Sequence, residues 1–282
     1  MPGINRTGKP STTDLLLGRG SVELALIDAV TGKPGAFRHV GNVTAFSVNL
    51  ENEKLEHFSS RSSIRSVDRE IVLSQKVNVS VTLDEALNFE NLAVFFAGAA
   101  TSITNPSAAG NVTDAVVTLA GAEGRSYELR KDDGSRMLDI NAGSLTVKSG
   151  ASLGAATTLS GAANVEVDAV WGTVFIPSGS SFVDGHGIWF SYTSAGTEKA
   201  IDQVSMQTIT QPSYFLRFKG INPANNDRKF LLDLHSVSLA ADGDFNWLGE
   251  EFAEMTLTGV AGRNELGYPS SPVGNIYIHG DS

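Results

Sequence analysis

The strand predicted at residues 71–83 carries, over residues 76–83, the strict alternation that most constrains this fold. Val77, Val79, Val81 and Leu83 are apolar, and polar residues separate them. Because successive side chains of a strand point to opposite faces, one face of this segment packs on a core and the other meets solvent. Such one-sided burial is typical of an antiparallel sheet, so the segment predicts an antiparallel β fold.

Further strand candidates recur along the chain, and Gly-, Asn- and Asp-rich turns separate them. They cover residues 22–27, 40–50, 112–119, 126–130, 145–147, 165–167, 173–176, 187–193, 205–210, 213–219, 229–239, 254–260 and 275–279. Residues 84–97 predict one helix that Asp84 caps and that ends before Gly98. Many short strands with one helix predict a mainly β fold, a β-sandwich or barrel of two antiparallel sheets with one flanking α-helix.

The chain predicts one β domain over residues 21–282, preceded by a flexible polar arm at 1–20. Residues 51–70 mix acidic and basic side chains around a run of serines, and we interpret them as a long loop between two strands. Residues 100–195 form an elaborated middle section, which the sequence leaves open as part of the sandwich or a separate lobe. Within it, 149–163 is rich in Gly, Ala and Ser and predicts a loop or a weak strand pair.

Charge and composition exclude several classes of function. The net charge is −10 without any cluster of Lys and Arg, which disfavours sequence-specific duplex binding. With no cysteine, disulfides, thiol nucleophiles and Cys-ligated zinc are excluded. No apolar run approaches the roughly 20 residues that span a bilayer, so we expect a protein made in the cytoplasm without membrane insertion.

No motif predicts catalysis, a metal site or a cofactor. The five histidines lack metal-ligand spacing. Asp184-Gly185-His186 is the nearest approach to a catalytic cluster, and a turn before a strand explains it more simply. Three tryptophans suggest a sugar-binding face, although Trp189 lies in an apolar segment typical of a core.

Four segments, in this order, resemble the tail tube (major tail) proteins of long-tailed, non-contractile bacteriophages. The segments are 41–60, with Lys54-Leu55-Glu56-His57-Phe58 at its centre; 77–98, with Glu90-Asn91-Leu92-Ala93; 165–176 followed by Ser191-Tyr192; and 228–259, ending in Met255-Thr256-Leu257-Thr258-Gly259. The likeness covers roughly residues 20 to 278 and rests on the order and spacing of the segments.

The resemblance implies a tail-tube-like β-sandwich that assembles as hexameric rings. The rings stack into a tube around the tape measure protein, between a tail tip and a tail terminator protein. Genomic DNA later passes through this conduit without specific binding, so the expected location is the virion tail. The inner sheets of six subunits join into one continuous wall.

The same resemblance implies that the loop at 51–70 reaches a neighbouring ring. Its mixed charge suits such a contact, because opposite charges fix the register of two surfaces. A solvated loop is the alternative interpretation. The candidate contact residues are Lys54, Glu56, Arg61, Arg65, Asp68 and Arg69.

An acidic stretch near the C-terminus suits a lumen that repels passing DNA, although a solvated outer face explains it equally well. Its candidate residues are Asp242, Asp244, Glu250, Glu251 and Glu254.

Three other functions stay open at the level of sequence. One is the tube protein of a contractile tail or a secretion system, although such chains are usually shorter. Another is a carbohydrate-binding or adhesin-like β-sandwich, which needs an exposed aromatic patch. The third is a hydrolase on a β scaffold, for which the sequence offers no recognisable site.

Overall fold

The computed structural model describes residues 15–59, 66–103, 111–194, 200–210 and 212–279. The chain divides into two compact units. Unit 1 comprises Met1–Ala100 and Val204–Ser282, and unit 2 comprises Thr101–Gln203. Where the sequence predicted one domain with an elaborated middle section, the structure therefore has a second compact unit inserted into the first.

Strands dominate both units. In unit 1 they begin with β1 (Arg19–Leu26), β2 (Arg38–His39), β3 (Val43–Ser59) and β4 (Ser66–Leu83), followed by α1 (Phe89–Phe95) and β5 (Ala99–Ile103). The inserted segment contains β6 (Val112–Thr118), β7 (Arg125–Glu128), β8 (Leu145–Gly150), β9 (Thr157–Leu159), β10 (Glu166–Asp168), β11 (Thr173–Ile176), β12 (Gly187–Tyr192) and β13 (Ile201–Ser205). The chain closes with β14 (Ser213–Asn222), β15 (Arg228–Ala241), β16 (Met255–Ala261) and β17 (Gly274–Ile278).

Unit 1 is built on one antiparallel sheet of eight strands, ordered β2-β1-β14-β15-β16-β4-β3. The remaining strand, β17, pairs with the first part of β15, where Phe230 lies opposite Ile278. The second part of β15 pairs with β16, where Val237 lies opposite Ala261. The long strand β15 thus connects two parts of the sheet.

The core of unit 1 lies on the face of the sheet that alternation predicted. Val79, Val81 and Leu83 are buried there, together with the helix residues Val94 and Phe95. Burying each such side chain is worth about 1.5–3 kcal/mol, so the helix is held mainly by this contact.

Unit 2 has its own core between a three-stranded sheet, β10-β11-β7, and a four-stranded sheet, β6-β12-β8-β9. Leu129, Val174, Ile188 and Phe190 are completely buried. The predicted burial of Trp189 is confirmed, since only 5% of it is exposed. The prediction of a mainly β fold of antiparallel sheets with one flanking α-helix is confirmed.

The helix is shorter than predicted and begins at Phe89 instead of Asp84. Its cap is Asn88, whose side chain accepts hydrogen bonds from the amides of Glu90 and Asn91. Asp84 instead accepts a hydrogen bond from the side chain of Asn42 at 2.6 Å, in the turn before the helix. This bond to a distant loop replaces the predicted capping role.

The helix ends close to where it was predicted, and Gly98 has a packing role there. Its amide donates to the carbonyl of Ala93 at 2.8 Å, while Ala97 takes the left-handed conformation. A Cβ at position 98 would lie 2.5 Å from the carbonyl oxygen of Ser205. Only glycine therefore permits this close approach of the two backbones.

The predicted loop at 51–70 is wrong over most of its length. Residues 51–59 belong to β3 and residues 66–70 to β4, and the two strands pair from Val43 opposite Leu83 to Ser59 opposite Ser66. Residues 60–65, which include the candidate contacts Arg61 and Arg65, lie outside the described residues.

Two other predicted boundaries also change. The N-terminal arm was predicted through residue 20, but β1 begins at Arg19 and the amide of Leu17 already donates to the side chain of Asn222 at 3.0 Å. Residues 1–14 of that arm lie outside the described residues. The strand predicted at 205–210 is β13, Ile201–Ser205, because Gln207 adopts a positive φ of 53° and turns the chain.

In the part of the chain that the structure describes, no helix is long and apolar enough to cross a membrane.

Candidate assembly surfaces

A two-stranded hairpin extends from the sheet of unit 1, and no other described strand pairs with it. Strand β4 pairs with β16 only from Val77 to Leu83. Residues 66–76 pair only with β3 among the described residues. We call this extension, residues 51–59 and 66–76, the hairpin arm.

Large apolar side chains of the hairpin arm remain exposed on both of its faces. Leu55 lies opposite Ile71, and Phe58 lies opposite Val67. All four are 40–56% exposed. An isolated two-stranded hairpin is marginally stable in water, and a contiguous exposed apolar surface marks a contact with another protein. The arm therefore has the character of an interface.

Two register shifts interrupt the pairing of the arm. One lies between Glu53 and Lys54, and the other between His57 and Phe58. Each leaves one residue of β4 without an opposite partner, namely Leu73 and Asp68. Bulges of this kind increase the local twist and keep an exposed ribbon from pairing indiscriminately with other strands.

The predicted charged contacts lie on this arm, and part of their charge is already satisfied within the chain. Lys54 Nζ lies 2.7 Å from Glu70 Oε1, and this hydrogen bond raises the pKa of Lys54. The imidazole of His57 contacts Asp68 Oδ1 at 2.5 Å. Arg69 is exposed and makes no ion pair with any other described residue. Of the six predicted contact residues, Lys54, Glu56, Asp68 and Arg69 thus lie together on the arm.

The apolar side chains of the arm were missed at the level of sequence. The three successive apolar residues Ile71, Val72 and Leu73, where the alternation is interrupted, were a signal that both faces of the predicted strand carry apolar groups. Matching apolar residues on either side of the serine-rich centre, such as Leu55 and Val67, were a second signal.

The predicted acidic residues all lie in one exposed connection between β15 and β16, residues 242–254, which we call the acidic loop. None of its five carboxylates makes a hydrogen bond or ion pair within the described part of the chain. They are the predicted residues Asp242, Asp244, Glu250, Glu251 and Glu254.

Aromatic packing anchors the acidic loop on the helix. The ring of Phe245 lies 5.9 Å from that of Phe95 and 4.6 Å from that of Trp247, measured between centroids. Beyond this anchor, Leu248 is 94% and Phe252 98% exposed. The loop therefore presents unpaired carboxylates beside fully exposed apolar groups, a combination that the charge pattern alone did not reveal.

The buried polar side chains of Asp233 and His235 on β15 both have partners within unit 1. Arg217 makes a two-pronged salt bridge with Asp233, at 2.8 and 3.0 Å. On the same strand as Asp233, His235 is only 1% exposed and stacks on Tyr268 with ring centroids 3.8 Å apart. Burial lowers the pKa of His235, so its imidazole is neutral at pH 7 and acts as a packing element.

The segment Asp184-Gly185-His186, the nearest approach to a catalytic cluster in the sequence, is a turn. Gly185 has a φ of 86°, and the amide of His186 donates to the carbonyl of Val183 at 3.0 Å, which confirms the predicted turn before β12. Within the described ranges, no three His, Asp or Glu side chains are grouped in a way that would hold a metal ion.

Comparison with known proteins places the chain in a family without assigning a function. No curated protein matches it. The profile of one family, described as "Protein of unknown function UCP028589", matches residues 15–265. That match spans nearly the whole of both units, so the chain belongs to the family of unknown function UCP028589.

Proposed function

We propose that this protein is a structural, non-enzymatic subunit of a bacteriophage tail tube. Copies assemble into hexameric rings, which stack into the tail tube of a long-tailed, non-contractile phage. The observation that carries the proposal is the hairpin arm, which extends from the sheet with the apolar side chains of Leu55 and Ile71 about half exposed. It adds to the family resemblance of the sequence.

The hairpin arm is suited to contact a neighbouring subunit. Its apolar pairs, such as Leu55 with Ile71, supply surface to bury, and its charged residues fix the register of the contact. A partner that covered the arm would also remove the cost of leaving a two-stranded ribbon alone in water. Both needs are met by a further copy of the same chain in an adjacent ring.

Open strand edges of unit 1 support the lateral contacts of a ring. Within the described residues, β17 pairs only with β15, and Ile276, Tyr277 and Ile278 of β17 are more than half exposed. On the other side of the sheet, β3 pairs only with β4. Unpaired edges attract further strands, and pairing between subunits satisfies them in a closed ring.

The acidic loop fits a tube that conducts DNA without holding it. Its unpaired carboxylates repel phosphates within a Debye length of about 8 Å at physiological ionic strength. The net charge of −10 acts in the same direction. The remaining partners of such a tube are the tape measure protein, the tail tip and the tail terminator protein.

Light scattering of the purified protein across a concentration series tests the proposal. We expect the mass to rise from a subunit to multiples of six and then to long particles, with isolated tail tips lowering the concentration required. A mass that stays at one subunit at every concentration, with and without tail tips, would refute the proposal.

One observation favours a second candidate, glycan binding by unit 2. Trp171 is 57% exposed in the turn between β10 and β11. Its amide donates to Asp168 Oδ1 at 3.2 Å, and Arg136 donates to its carbonyl, so the backbone of the turn is fixed where it presents the indole at the surface. An indole face presented in this way stacks on sugar rings. A glycan array probed with the wild type and with Trp171→Ala decides this candidate, since binding must be present and must be lost in the variant.

A further inference from the structure

A cationic groove lies at one end of the sheet of unit 1. Arg19, Ile221 and Lys229 lie directly opposite one another on β1, β14 and β15, so their side chains project from the same face. Ile221, Lys229, Lys219 and Tyr277 line the groove, and Arg19 lies at its margin on β1, opposite Ile221. The groove has a volume of about 440 Å³.

The groove region offers two cations that pair with no described residue, beside exposed apolar side chains. Lys219 Nζ is held by Glu23 Oε1 at 2.6 Å. Arg19 and Lys229 are exposed and make no ion pair with any residue that the structure describes. Ile221 lies between them, and Tyr277 lies on β17, on the other side of β15; they are 38% and 51% exposed. In a chain of net charge −10, this grouping of cations and apolar surface is complementary to a partner surface that is acidic and apolar.

The acidic loop has the complementary character. Glu250 and Glu251 stand between Leu248 and Phe252, the two most exposed large apolar residues of the described chain. A partner that received this loop would bury both apolar groups while pairing both carboxylates. The cationic groove provides cations and apolar surface in the same combination.

The acidic loop does not reach the groove of its own chain. Strand β15 begins at Arg228, beside the groove, and ends at Ala241, where the acidic loop follows. From Lys229 to Asp242 the extended backbone spans on the order of 40 Å, at a rise of about 3.3 Å per residue. The two complementary surfaces therefore lie at opposite ends of one strand and can meet only between copies.

We propose that the acidic loop of one copy docks in the cationic groove of the next. The inference rests on the proposed self-assembly and deepens it by naming two surfaces of one contact. Burial of Leu248 and Phe252 supplies most of the affinity, and the charges fix the orientation. Because the two surfaces differ, the contact is head-to-tail and repeats along the assembly.

A charge-swap experiment tests this contact. The groove variant carries Arg19→Glu and Lys229→Glu, and the loop variant carries Glu250→Lys and Glu251→Lys. Each variant alone places like charges across the contact, so we expect its threshold concentration for light scattering to rise at least tenfold at 50 mM salt. In a one-to-one mixture, every contact between the two different variants pairs opposite charges, so alternating copies assemble and the threshold is expected to return towards that of the wild type.

The control variant changes the net charge as the groove variant does, but away from the groove. It carries Lys33→Glu and Arg125→Glu, both at exposed positions. We expect it to assemble like the wild type. All substituted side chains are exposed, so the melting temperatures of the variants are expected to stay within about 2 °C of the wild type.

The outcomes separate the docking contact from the proposed function. If the wild type and both variants assemble alike, or if the mixture fails to recover, the docking contact is refuted while tube formation stands. If both variants assemble and the groove variant alone loses retention on immobilised DNA, the groove binds phosphate and the docking contact is also refuted. If the wild type never assembles, even with tail tips, both inferences fall.

Discussion

Replacing Leu55 and Ile71 by serine should separate assembly from folding. The two side chains face each other across the hairpin arm and are 56% and 45% exposed. No other described strand covers them, so they contribute little to the core of unit 1. The account therefore predicts a variant that folds normally and assembles poorly.

The magnitude follows from the surface that these side chains still expose. Complete burial of a Leu or Ile side chain is worth about 1.5–3 kcal/mol, and about half of that remains to be gained on assembly. Two side chains thus contribute about 2 kcal/mol to each contact. Since 1.4 kcal/mol corresponds to a factor of ten, each contact should weaken about 30-fold.

Within the monomer, the lost cross-strand pair is worth only about 0.2–1 kcal/mol. That loss lowers the melting temperature by no more than about 4 °C in a chain of this size. The threshold concentration for light scattering and the melting temperature, measured on the same preparations, distinguish the two effects.

The matched control likewise replaces Val30 and Leu87 by serine. These side chains are 83% and 78% exposed and lie outside the hairpin arm. It removes the same kind of surface and should leave the threshold unchanged. The reasoning fails if the arm variant assembles at the wild-type threshold, or if the control shifts as far as the arm variant does.

Three further predictions concern stability, each measured by urea unfolding. Because burial lowers the pKa of His235 from 6.5, its contribution to the free energy of unfolding is complete above pH 6.5 and is lost as the pH falls towards the lowered value. This dependence of stability on pH should be absent in His235→Phe. Gly172→Ala should lower the free energy of unfolding by about 3 kcal/mol, because its φ is 59° and a Cβ would lie 1.8 Å from a carbonyl oxygen. Gly134→Ala, with open space around the glycine, should lower it by only about 1 kcal/mol. Equal losses in the two variants would contradict the packing argument. Asp233→Ala should cost about 3 kcal/mol by leaving Arg217 unpaired, and adding Arg217→Met should recover part of that loss; no recovery would refute the pairing.

Alternation predicted the strands that have one buried and one exposed face. It succeeded for residues 77–83, where Val79, Val81 and Leu83 enter the core. It failed for residues 51–59 and 66–70 of the hairpin arm, because the two register shifts break the period of two and the described side chains there are exposed on both faces. Without a buried face, the charged residues there were interpreted as a loop.

Long-range contacts account for other differences between the prediction and the structure. Strand β5 is absent from the predicted strands, because Ala99 and its small neighbours form a strand only beside β13, about one hundred residues later. Asp84 had the right residue type for a cap, but a hydrogen bond from Asn42 engages its side chain instead. The local propensities of the residues predict neither the pairing of β5 with β13 nor the hydrogen bond between Asn42 and Asp84.

The candidate surfaces were predicted only in their charge. The sequence located the acidic residues, but their grouping beside Leu248 and Phe252 depends on how Phe245 anchors the loop on the helix. The cationic groove was not predicted at all. Its Arg19 and Lys229 lie more than two hundred residues apart and meet only through the pairing of β1, β14 and β15.

Electron microscopy of the purified protein, at concentrations above the light-scattering threshold, tests the central claim most directly. The account predicts rings and hollow tubes of uniform width, with six subunits in each end-on view. Monomers alone at every concentration, also after addition of isolated tail tips, would contradict it.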